Sequence, residues 1–273
     1  MSISKGSAFA DLHKQGCFIA PNPWDAGSAI LLQGMGFKAL ASTSSGFALT
    51  LGRRDGQVSR DEKLAHCRLL CDATLVPITA DLENGYGDLP EEVAKTIALS
   101  AQTGLAGGSI EDYTGDRAAP LYPLSLAVER IQAAVEQIGK LDTPYILTAR
   151  AEQMLRSDRD LDKTIERLQA FEQAGAHVLY APGLKTLNEV KQVVSAVSRP
   201  VNVLMSGLQP ADVPSLAGMG VRRLSTGGSL ALRSVQAMIG AGEQMLADQN
   251  FDWLGQTASH AQLKTLMKPP GEQ

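Results

Sequence analysis

Short apolar segments recur along the chain, and stretches with a helical pattern separate them. The apolar segments number eight and cover residues 17–21, 37–43, 76–83, 107–112, 145–152, 177–182, 200–205 and 221–228. Between them, apolar residues recur at three- and four-residue spacing, as in helices that bury one face. Strands that alternate with helices form parallel βαβ units, and eight such units in roughly 250 residues are what a closed barrel requires. The pattern therefore predicts an α/β fold, a (β/α)8 TIM barrel.

Signals at the helix ends agree with this prediction. Ser59 and Glu62 have the spacing of a capping box, and Pro90 suits the first turn of a helix. Toward the C-terminus the periodicity loosens, and SHAQLKTLMK predicts one short extra helix. Because no linker composition interrupts the chain, we expect a single barrel domain over residues 1–273, with 249–273 as a C-terminal helical extension.

Charged residues collect at the predicted C-terminal ends of the strands. In a barrel these ends meet at one mouth, where the functional groups of such folds lie. Asp81 and Glu83 are two residues apart, so in a strand both carboxylates would point to the same face and repel each other. A single polar residue at a strand end is as often a helix cap as a functional group, but several charges at one mouth need mutual compensation. The charged set comprises Asp81, Glu83, Glu111 and Arg150.

An acidic cluster of this kind would either take up a proton or bind a hard cation. No histidine or cysteine accompanies the acids, so the oxygen-rich set favours Mg2+, with Mn2+ as the alternative, over zinc. Residues 44–46, SSG, follow the second strand and offer hydroxyls and backbone N–H groups as a cradle for a carboxylate. Residues 225–229, STGGS, fit either a phosphate site or a simple turn.

Composition narrows the partners. The net charge is −4, and 44% of the 273 residues are hydrophobic and 20% charged, which is typical of a soluble globular protein. Basic runs and nucleic-acid-binding motifs are missing from the sequence, so nucleic acid is not an expected partner. The sequence contains no run of 18 apolar residues, no signal-type start and an odd number of cysteines. We therefore expect a cytoplasmic protein that does not interact with membranes.

Several common barrel chemistries lack their residues at the predicted mouth. A Schiff-base mechanism needs a lysine there, and none of the predicted strand ends carries one. None of the four histidines falls at a strand end either, which disfavours a histidine general base. The glycine fingerprint of dinucleotide-binding folds is also missing after the first strand.

Six segments occur in an order and spacing that carry a family resemblance: PNPWDAGSA, STSSGFALTLGRRDG, ADLENGYGD, GGSIED, TARAE and RRLSTGGSLALRS. Over residues 15–245 the chain resembles the isocitrate lyase/phosphoenolpyruvate mutase superfamily. The resemblance implies a (β/α)8 barrel that binds Mg2+ and an α-keto acid, stabilises an enolate-like species, and makes or breaks a C–C or C–P bond. It also implies a homotetramer, a dimer of dimers that exchange C-terminal helices.

The resemblance suggests metal-binding and catalytic residues. Asp81 is similar to the principal metal-binding aspartate of the family, with Glu83 and Glu111 in its water-linked acidic shell. Arg150 resembles the arginine that pairs with anionic substrate oxygens, and Asp55 matches an acid on a mobile segment beside the site. A divalent ion and a guanidinium that face an enolate oxygen stabilise its developing negative charge. We expect Arg150, Asp55 and Glu111 to be the catalytic residues.

A second group of residues is expected to bind substrate. Ser44, Ser45 and Gly46 resemble the family's carboxylate-gripping loop, and Arg150 and Asn202 are the further expected contacts. Residues 49–59 contain two glycines that could serve as hinges, and whether this segment closes as a lid stays open.

Departures from the family pattern bear on the substrate. Isocitrate and methylisocitrate lyases share a K-[KR]-C-G-H loop after the fourth-strand acids, whereas this chain reads EDYTGDRAAPLYPLS, without cysteine. Phosphonate-handling relatives tend to carry histidine after the sixth strand, where this chain reads YAPG. The expected function is a Mg2+-dependent lyase that cleaves a C–C bond of a small 2-keto or 2-hydroxy diacid, oxaloacetate-like or substituted malate-like, through an enolate. The alternatives are a C–P enzyme of the phosphonopyruvate hydrolase or phosphoenolpyruvate mutase type, a non-catalytic carboxylate-binding barrel, and a sugar-phosphate enzyme that uses STGGS.

Overall fold

Eight parallel strands form one sheet in the computed structural model, which describes residues 4–208 and 211–268. The strands are β1 (Phe18–Ala20), β2 (Leu40–Ala41), β3 (Ile78–Asp81), β4 (Gly107–Glu111), β5 (Ile146–Arg150), β6 (Val178–Tyr180), β7 (Val201–Leu204) and β8 (Arg223–Ser225). Their order is β1-β8-β7-β6-β5-β4-β3-β2. A hydrogen bond of 3.0 Å from Ala41 N to Pro21 O joins the two ends of the sheet. The predicted α/β barrel is confirmed, and every strand lies inside its predicted segment.

Helices follow the strands and cover the outside of the barrel. They are α1 (Lys5–Leu12), α2 (Ala26–Gly34), α3 (Ser44–Thr50), α4 (Arg60–Ala73), α5 (Pro90–Ala101), α6 (Leu124–Ile138), α7 (Gln153–Arg156), α8 (Leu161–Gln173), α9 (Leu187–Ala196), α10 (Val213–Gly218), α11 (Ser229–Glu243) and α12 (His260–Leu266). The capping box between Ser59 and Glu62 begins α4, and Pro90 begins α5, as predicted. In the described residues, no helix is long and apolar enough to cross a membrane.

Helix α1 closes the N-terminal end of the barrel. The ring of Phe9 is fully buried and packs with apolar side chains at the starts of the strands, namely Ala39, Ala106, Ile146 and Val178. His13 lies edge-on to Phe9 and Phe18, with ring centroids 4.8 and 5.0 Å apart, and its Nδ1 is 2.8 Å from Phe9 O. This end of the lumen is therefore sealed by aromatic packing.

The interior of the barrel carries polar side chains one layer below the mouth. Arg223 Nη2 donates to Thr148 Oγ1 (3.0 Å), a bond between β8 and β5 that crosses the lumen because these strands are not neighbours. Arg223 Nε donates to Asn202 Oδ1 (2.9 Å), and Asn202 Nδ2 donates to Ser225 Oγ (3.0 Å). Branched apolar residues usually fill this layer in such barrels, so the polar side chains here differ from the usual barrel interior.

The C-terminal part of the chain is helical, as predicted. Helix α11 continues into a π-helical turn, Gln244–Asp248, which is followed by a 3-10 helix, Asp252–Gln256, and by α12. Helix α12 returns to α2 so closely that a Cβ on Gly34 would lie 1.9 Å from Leu266 O. The extra C-terminal helix is thereby confirmed; the division of the chain at residue 249 stays a prediction.

Candidate active site at the barrel mouth

A cavity of about 580 Å3 opens at the C-terminal ends of β3, β4 and β5. We call it the mouth cavity; its lining includes Ser44, Asp55, Glu83, Tyr86, Glu111, Tyr113, Arg117, Arg150 and Arg156. Its volume is in the range of sites for small organic ligands. Charged and polar side chains together make up most of the lining, so the cavity suits a small charged molecule better than an apolar one.

Arg150 lies at the centre of the acidic cluster. Its Nη1 is 3.2 Å from Glu111 Oε2 and 3.7 Å from Asp81 Oδ1, and its Nε donates to Glu152 Oε1. Burial lowers the pKa of Arg150, but Glu111 and Glu152 outweigh it and hold that pKa well above its ordinary value. The guanidinium carbon also lies 5.2 Å from the ring centroid of Tyr180. The mouth thus holds a permanently charged, oriented cation.

Asp81 ends β3 as an ionised carboxylate. Its Oδ2 accepts a hydrogen bond from Ser44 Oγ (2.8 Å), and its Oδ1 accepts one from Glu83 N (3.2 Å). Although burial raises the pKa of Asp81, the charges of Arg150 and Lys63 lower it below its ordinary value. The negative charge of Asp81 is therefore held in place beside the mouth cavity.

The pKa values of Glu83 and Glu111 are shifted in the opposite direction to that of Asp81. Burial, together with the charges of Asp81 and Asp55, raises the pKa of Glu83 to about 7. Burial also raises the pKa of Glu111 well above its ordinary value, despite the nearby Arg150. Glu83 Oε1 is buried and has no hydrogen-bond partner among the described residues. An unpartnered buried carboxyl oxygen costs stability unless a ligand, ion or water meets it.

The turn that carries Glu83 is held by an arginine on α6. Arg130, fully buried, donates to the backbone carbonyls of Asn84, Gly87 (2.7 Å) and Asp88. Its guanidinium carbon lies 4.1 Å from the ring centroid of Tyr122. Glu83 itself has a positive φ of 50°, a strained backbone conformation for a residue with a side chain. Arg130 therefore helps to fix a strained turn at the site.

The acids do not form a closed metal cage. In residues 4–208 and 211–268, no group of three or more His, Cys, Asp or Glu side chains is arranged to enclose an ion. Arg150 lies within salt-bridge distance of both Asp81 and Glu111. Mg2+ needs only one or two direct carboxylates and keeps several waters. The ionised Asp81 and the unpartnered oxygen of Glu83 fit this requirement.

The structure separates the expected substrate residues. Ser44 reaches the mouth cavity, whereas Ser45 and Gly46 do not line it. The Gly46 N–H donates to Thr43 Oγ1 (3.2 Å) as part of the cap of α3, so this amide already has a partner. Asn202 lies one layer deeper and lines a smaller cavity instead. The residues expected to bind substrate thus lie at two levels of the barrel, with Ser44 at the mouth and Asn202 one layer below it.

The other expected residues also have defined positions. Asp55 lines the mouth cavity from the loop between α3 and α4. In the STGGS segment, the N–H groups of Thr226 and Gly227 donate to Asn22 Oδ1 at 2.8 and 3.0 Å. Because two of the amides that would cradle a phosphate are already occupied, the turn interpretation of STGGS is favoured.

Sequence reasoning assigned no site role to three charged residues of the barrel, although Glu152 was recognised as a polar residue at the end of the fifth strand. Glu152, fully buried, accepts hydrogen bonds from both Arg150 and Arg156. Lys63 from α4 is fully buried, and its charge acts on Asp81 and Glu83. Arg223 is the first residue of β8 and the second residue of the pattern RRLS. Alternate residues of a strand share a face, so this pattern already places Arg223 on the same face as Ser225.

Comparison with known proteins places this geometry in a family. A family model described as phosphoenolpyruvate phosphomutase matches residues 9–246. A solved structure from Burkholderia cenocepacia J2315, described only as a lyase/mutase, is 45% identical, with a TM-score of 0.93, over 97% of this chain and 96% of that chain. An uncharacterized protein of Mycobacterium tuberculosis (strain H37Rv) is 33% identical over 81% of each chain.

A relative with a named activity is similar over most of the barrel. The 2-methylisocitrate lyase of Escherichia coli (strain K12) is 31% identical over 218 residues, which are 76% of this chain and 72% of the relative. The region that the family model matches, residues 9–246, contains the strands that carry Asp81, Glu111 and Arg150. The chain therefore belongs to the phosphoenolpyruvate phosphomutase family, within the isocitrate lyase/phosphoenolpyruvate mutase superfamily.

Proposed function

We propose that this protein is a Mg2+-dependent lyase that cleaves a C–C bond of a small 2-keto or 2-hydroxy diacid through an enolate. The observation that carries the proposal is the Arg150 guanidinium, held between Glu111 and Asp81 at the edge of the mouth cavity. A fixed cation beside a place where negative charge develops lowers the barrier of an enolate-forming reaction. An oxaloacetate-like or substituted malate-like acid matches the size and charge of the cavity.

Asp81 would hold the divalent ion directly, with Glu83 and Glu111 acting through water; Mn2+ is the alternative ion. When bound, the ion supplies a Lewis acid that polarises the substrate's keto or hydroxyl oxygen. The low pKa of Asp81 supports this role, because a ligand carboxylate must be deprotonated. The unpartnered oxygen of Glu83 supports a water-linked contact there.

The side chains of the site would divide the work between binding and proton transfer. Arg150 binds a substrate carboxylate and faces the developing oxyanion, as its bidentate fork suits planar anions. Ser44 fixes Asp81 through its hydroxyl. Glu111 and Asp55 both line the cavity, and their carboxyl oxygens are positioned to hold or accept a proton.

The second candidate is a C–P bond enzyme. It is favoured by the matched family description, phosphoenolpyruvate phosphomutase. The loop after β6 weighs against it, because Ala181 and Pro182 stand where phosphonate-handling relatives tend to carry histidine. The loop after β4 lacks cysteine, so a classical methylisocitrate lyase is disfavoured as well.

The test is a metal-dependent activity panel. Purified protein with Mg2+ is incubated with 2-keto and 2-hydroxy diacids while pyruvate is measured, and with phosphonopyruvate while inorganic phosphate is measured. We expect pyruvate from at least one diacid and no phosphate; phosphate release alone would support the C–P alternative. No turnover on any substrate, with metal-dependent binding of oxalate, would support a non-catalytic barrel.

A matched pair of aspartate variants locates the metal. Asp81→Ala should keep the far-ultraviolet circular dichroism spectrum and lose both activity and Mg2+ binding by calorimetry. Asp61→Ala removes an exposed aspartate from the first turn of α4 and should change neither. Full activity of Asp81→Ala at saturating Mg2+ would move the ion elsewhere.

We also propose that the protein is a cytoplasmic homo-oligomer, a tetramer built as a dimer of dimers. Large apolar side chains exposed on α11 and the turns after it support an association surface; they include Leu232, Met238, Leu246 and Phe251.

A further inference from the structure

A buried guanidinium in the lumen lacks a counter-charge. Arg223 is 4% exposed, and in the described part of the chain no carboxylate lies within 4.0 Å of its nitrogen atoms. Nε and Nη2 donate to Asn202 and Thr148, both neutral, and Nη1 has no partner among the described residues. A buried arginine stays charged and is unfavourable unless an opposite charge compensates it.

Lys63 is also a buried cation without a hydrogen-bond partner among the described residues, but its surroundings differ. Its charge lowers the pKa of Asp81 and acts on Glu83, so two acids compensate it. The group that acts most on Arg223 after burial is the phenol of Tyr180, whose own pKa is raised and which is neutral. Among the described residues, Lys63 therefore has acids that compensate its charge, whereas Arg223 has none.

Arg223 borders a second, small cavity of about 60 Å3, which we call the lumen cavity. Its lining includes Asn22, Asp81, Arg150, Tyr180, Asn202 and Ser225. Asp81 and Arg150 border the lumen cavity at the mouth, and Thr79 and Asn202 precede the mouth residues of their strands, so the cavity extends one layer below the acidic cluster. It exceeds the space for one water molecule but is far smaller than a site for an organic ligand.

Of the charges around the lumen cavity, that of Arg223 is the one without a counter-charge among the described residues. The other charged lining residues are Arg150 and Asp81, and Arg150 is paired with Asp81, Glu111 and Glu152. One monovalent anion would neutralise Arg223. Ser225 Oγ accepts from Asn202 Nδ2, so its own hydrogen is available for donation to such an anion.

We propose that the lumen cavity is a binding site for a small monovalent inorganic anion of chloride size, held by Arg223 beneath the mouth. The site is present in the resting protein, so it does not depend on the lyase reaction. A bound anion accounts for the polar side chains inside the barrel, where apolar side chains would otherwise be expected.

Thermal unfolding tests the site in solution. The midpoint is measured at constant ionic strength as sodium chloride replaces sodium HEPES, whose bulky sulfonate exceeds the cavity. With 0.2 M chloride as roughly a tenfold excess over the dissociation constant, we expect a rise of about 2–4 °C for a protein of this size. Arg223→Met should abolish the rise, whereas Arg222→Met, a matched change on the neighbouring residue outside the lumen, should keep it.

Crystals soaked in bromide test the position and do not require the variants to fold. An anomalous peak between Arg150 and Arg223 would support the proposal. A peak confined to the mouth cavity, density for water alone, or an equal chloride shift in Arg223→Met would overturn it.

Discussion

Arg150 Nη1 lies 3.2 Å from Glu111 Oε2, and the two residues are direct partners in the register of β5 and β4. The backbone pairing of the barrel therefore brings the two charges together. Because the strands fix this pair, the cation of the site is oriented before any substrate arrives, which is the condition for electrostatic preorganisation.

Replacing Arg150 should separate catalysis from stability. Arg150→Lys keeps a positive charge but loses the planar fork, so we expect kcat/KM to fall by about 10^2–10^3-fold. Arg150→Met removes the cation that compensates Glu111 and leaves Glu152 with Arg156 alone, so the free energy of unfolding should also fall by about 3–5 kcal/mol. Steady-state kinetics and urea unfolding measure the two effects. The exposed Arg117→Met, also at the mouth, is the control that should unfold like the wild type.

Arg130 supports the Glu83 turn through backbone carbonyls alone. Arg130→Met would leave three carbonyls without their donor, and we expect a loss of about 2–4 kcal/mol in urea unfolding. The apparent affinity for Mg2+ should weaken as well, since the turn that carries Glu83 is no longer held. Arg68 also donates to a carbonyl, that of Gln102 at 3.0 Å, but on the surface. Arg68→Met should cost less than about 0.5 kcal/mol; equal losses in the two variants would contradict this role.

The buried histidines should contribute a loss of stability below about pH 6.5, whereas Glu83 and Glu111, whose pKa values are raised, contribute in the opposite direction. Burial, then the charge of Arg223, lowers the pKa of His13 to about 3, and burial, then Lys63, lowers that of His66 to about 3. Between about pH 3 and pH 6.5 these histidines bind protons in the unfolded chain but not in the native state. Their contribution to the free energy of unfolding is therefore complete above about pH 6.5 and declines toward pH 3. From pH 7 to 5 we expect each histidine to remove about 2 kcal/mol.

Urea unfolding at both pH values measures the effect. From pH 7 to pH 5, the change in the free energy of unfolding of His13→Leu should be about 2 kcal/mol more favourable than that of the wild type, the share of one histidine. His260→Leu, on the exposed face of α12, should change as the wild type does. A pH dependence in His13→Leu equal to that of the wild type would show that His13 is not a source of acid sensitivity.

The exposed apolar surface near the C-terminus predicts self-association. Leu246 is 87% exposed and Met238 is 68% exposed, which is unfavourable for side chains left in water. A protein with both Leu246→Asp and Met238→Asp should shift toward the monomer in size-exclusion chromatography with light scattering. Leu75→Asp changes an apolar residue that is 56% exposed before β3 and should keep the wild-type assembly. A monomeric wild type would refute the prediction.

The sequence was informative where function and local structure coincide. Strand ends, helix caps and the charges of Asp81, Glu111 and Arg150 follow from periodicity and the barrel rule, and the structure brings these three together. Asn202, expected within the seventh strand as a substrate contact, lies one layer below the mouth, because a strand of four residues presents inward positions at two levels. Gly46 stays a predicted substrate contact, and its amide caps α3. The partners of Arg223, Asn202 and Thr148, come from other strands, so only tertiary contacts reveal them. Those of Glu152, Arg150 and Arg156, are near it in the chain.

Phe9 closes one end of the barrel, so among the described residues the mouth is the way into the lumen. For the proposed lyase, both products of the cleavage would then leave through the mouth. The product nearer the mouth would leave first, and the inner one would compete with the next substrate molecule.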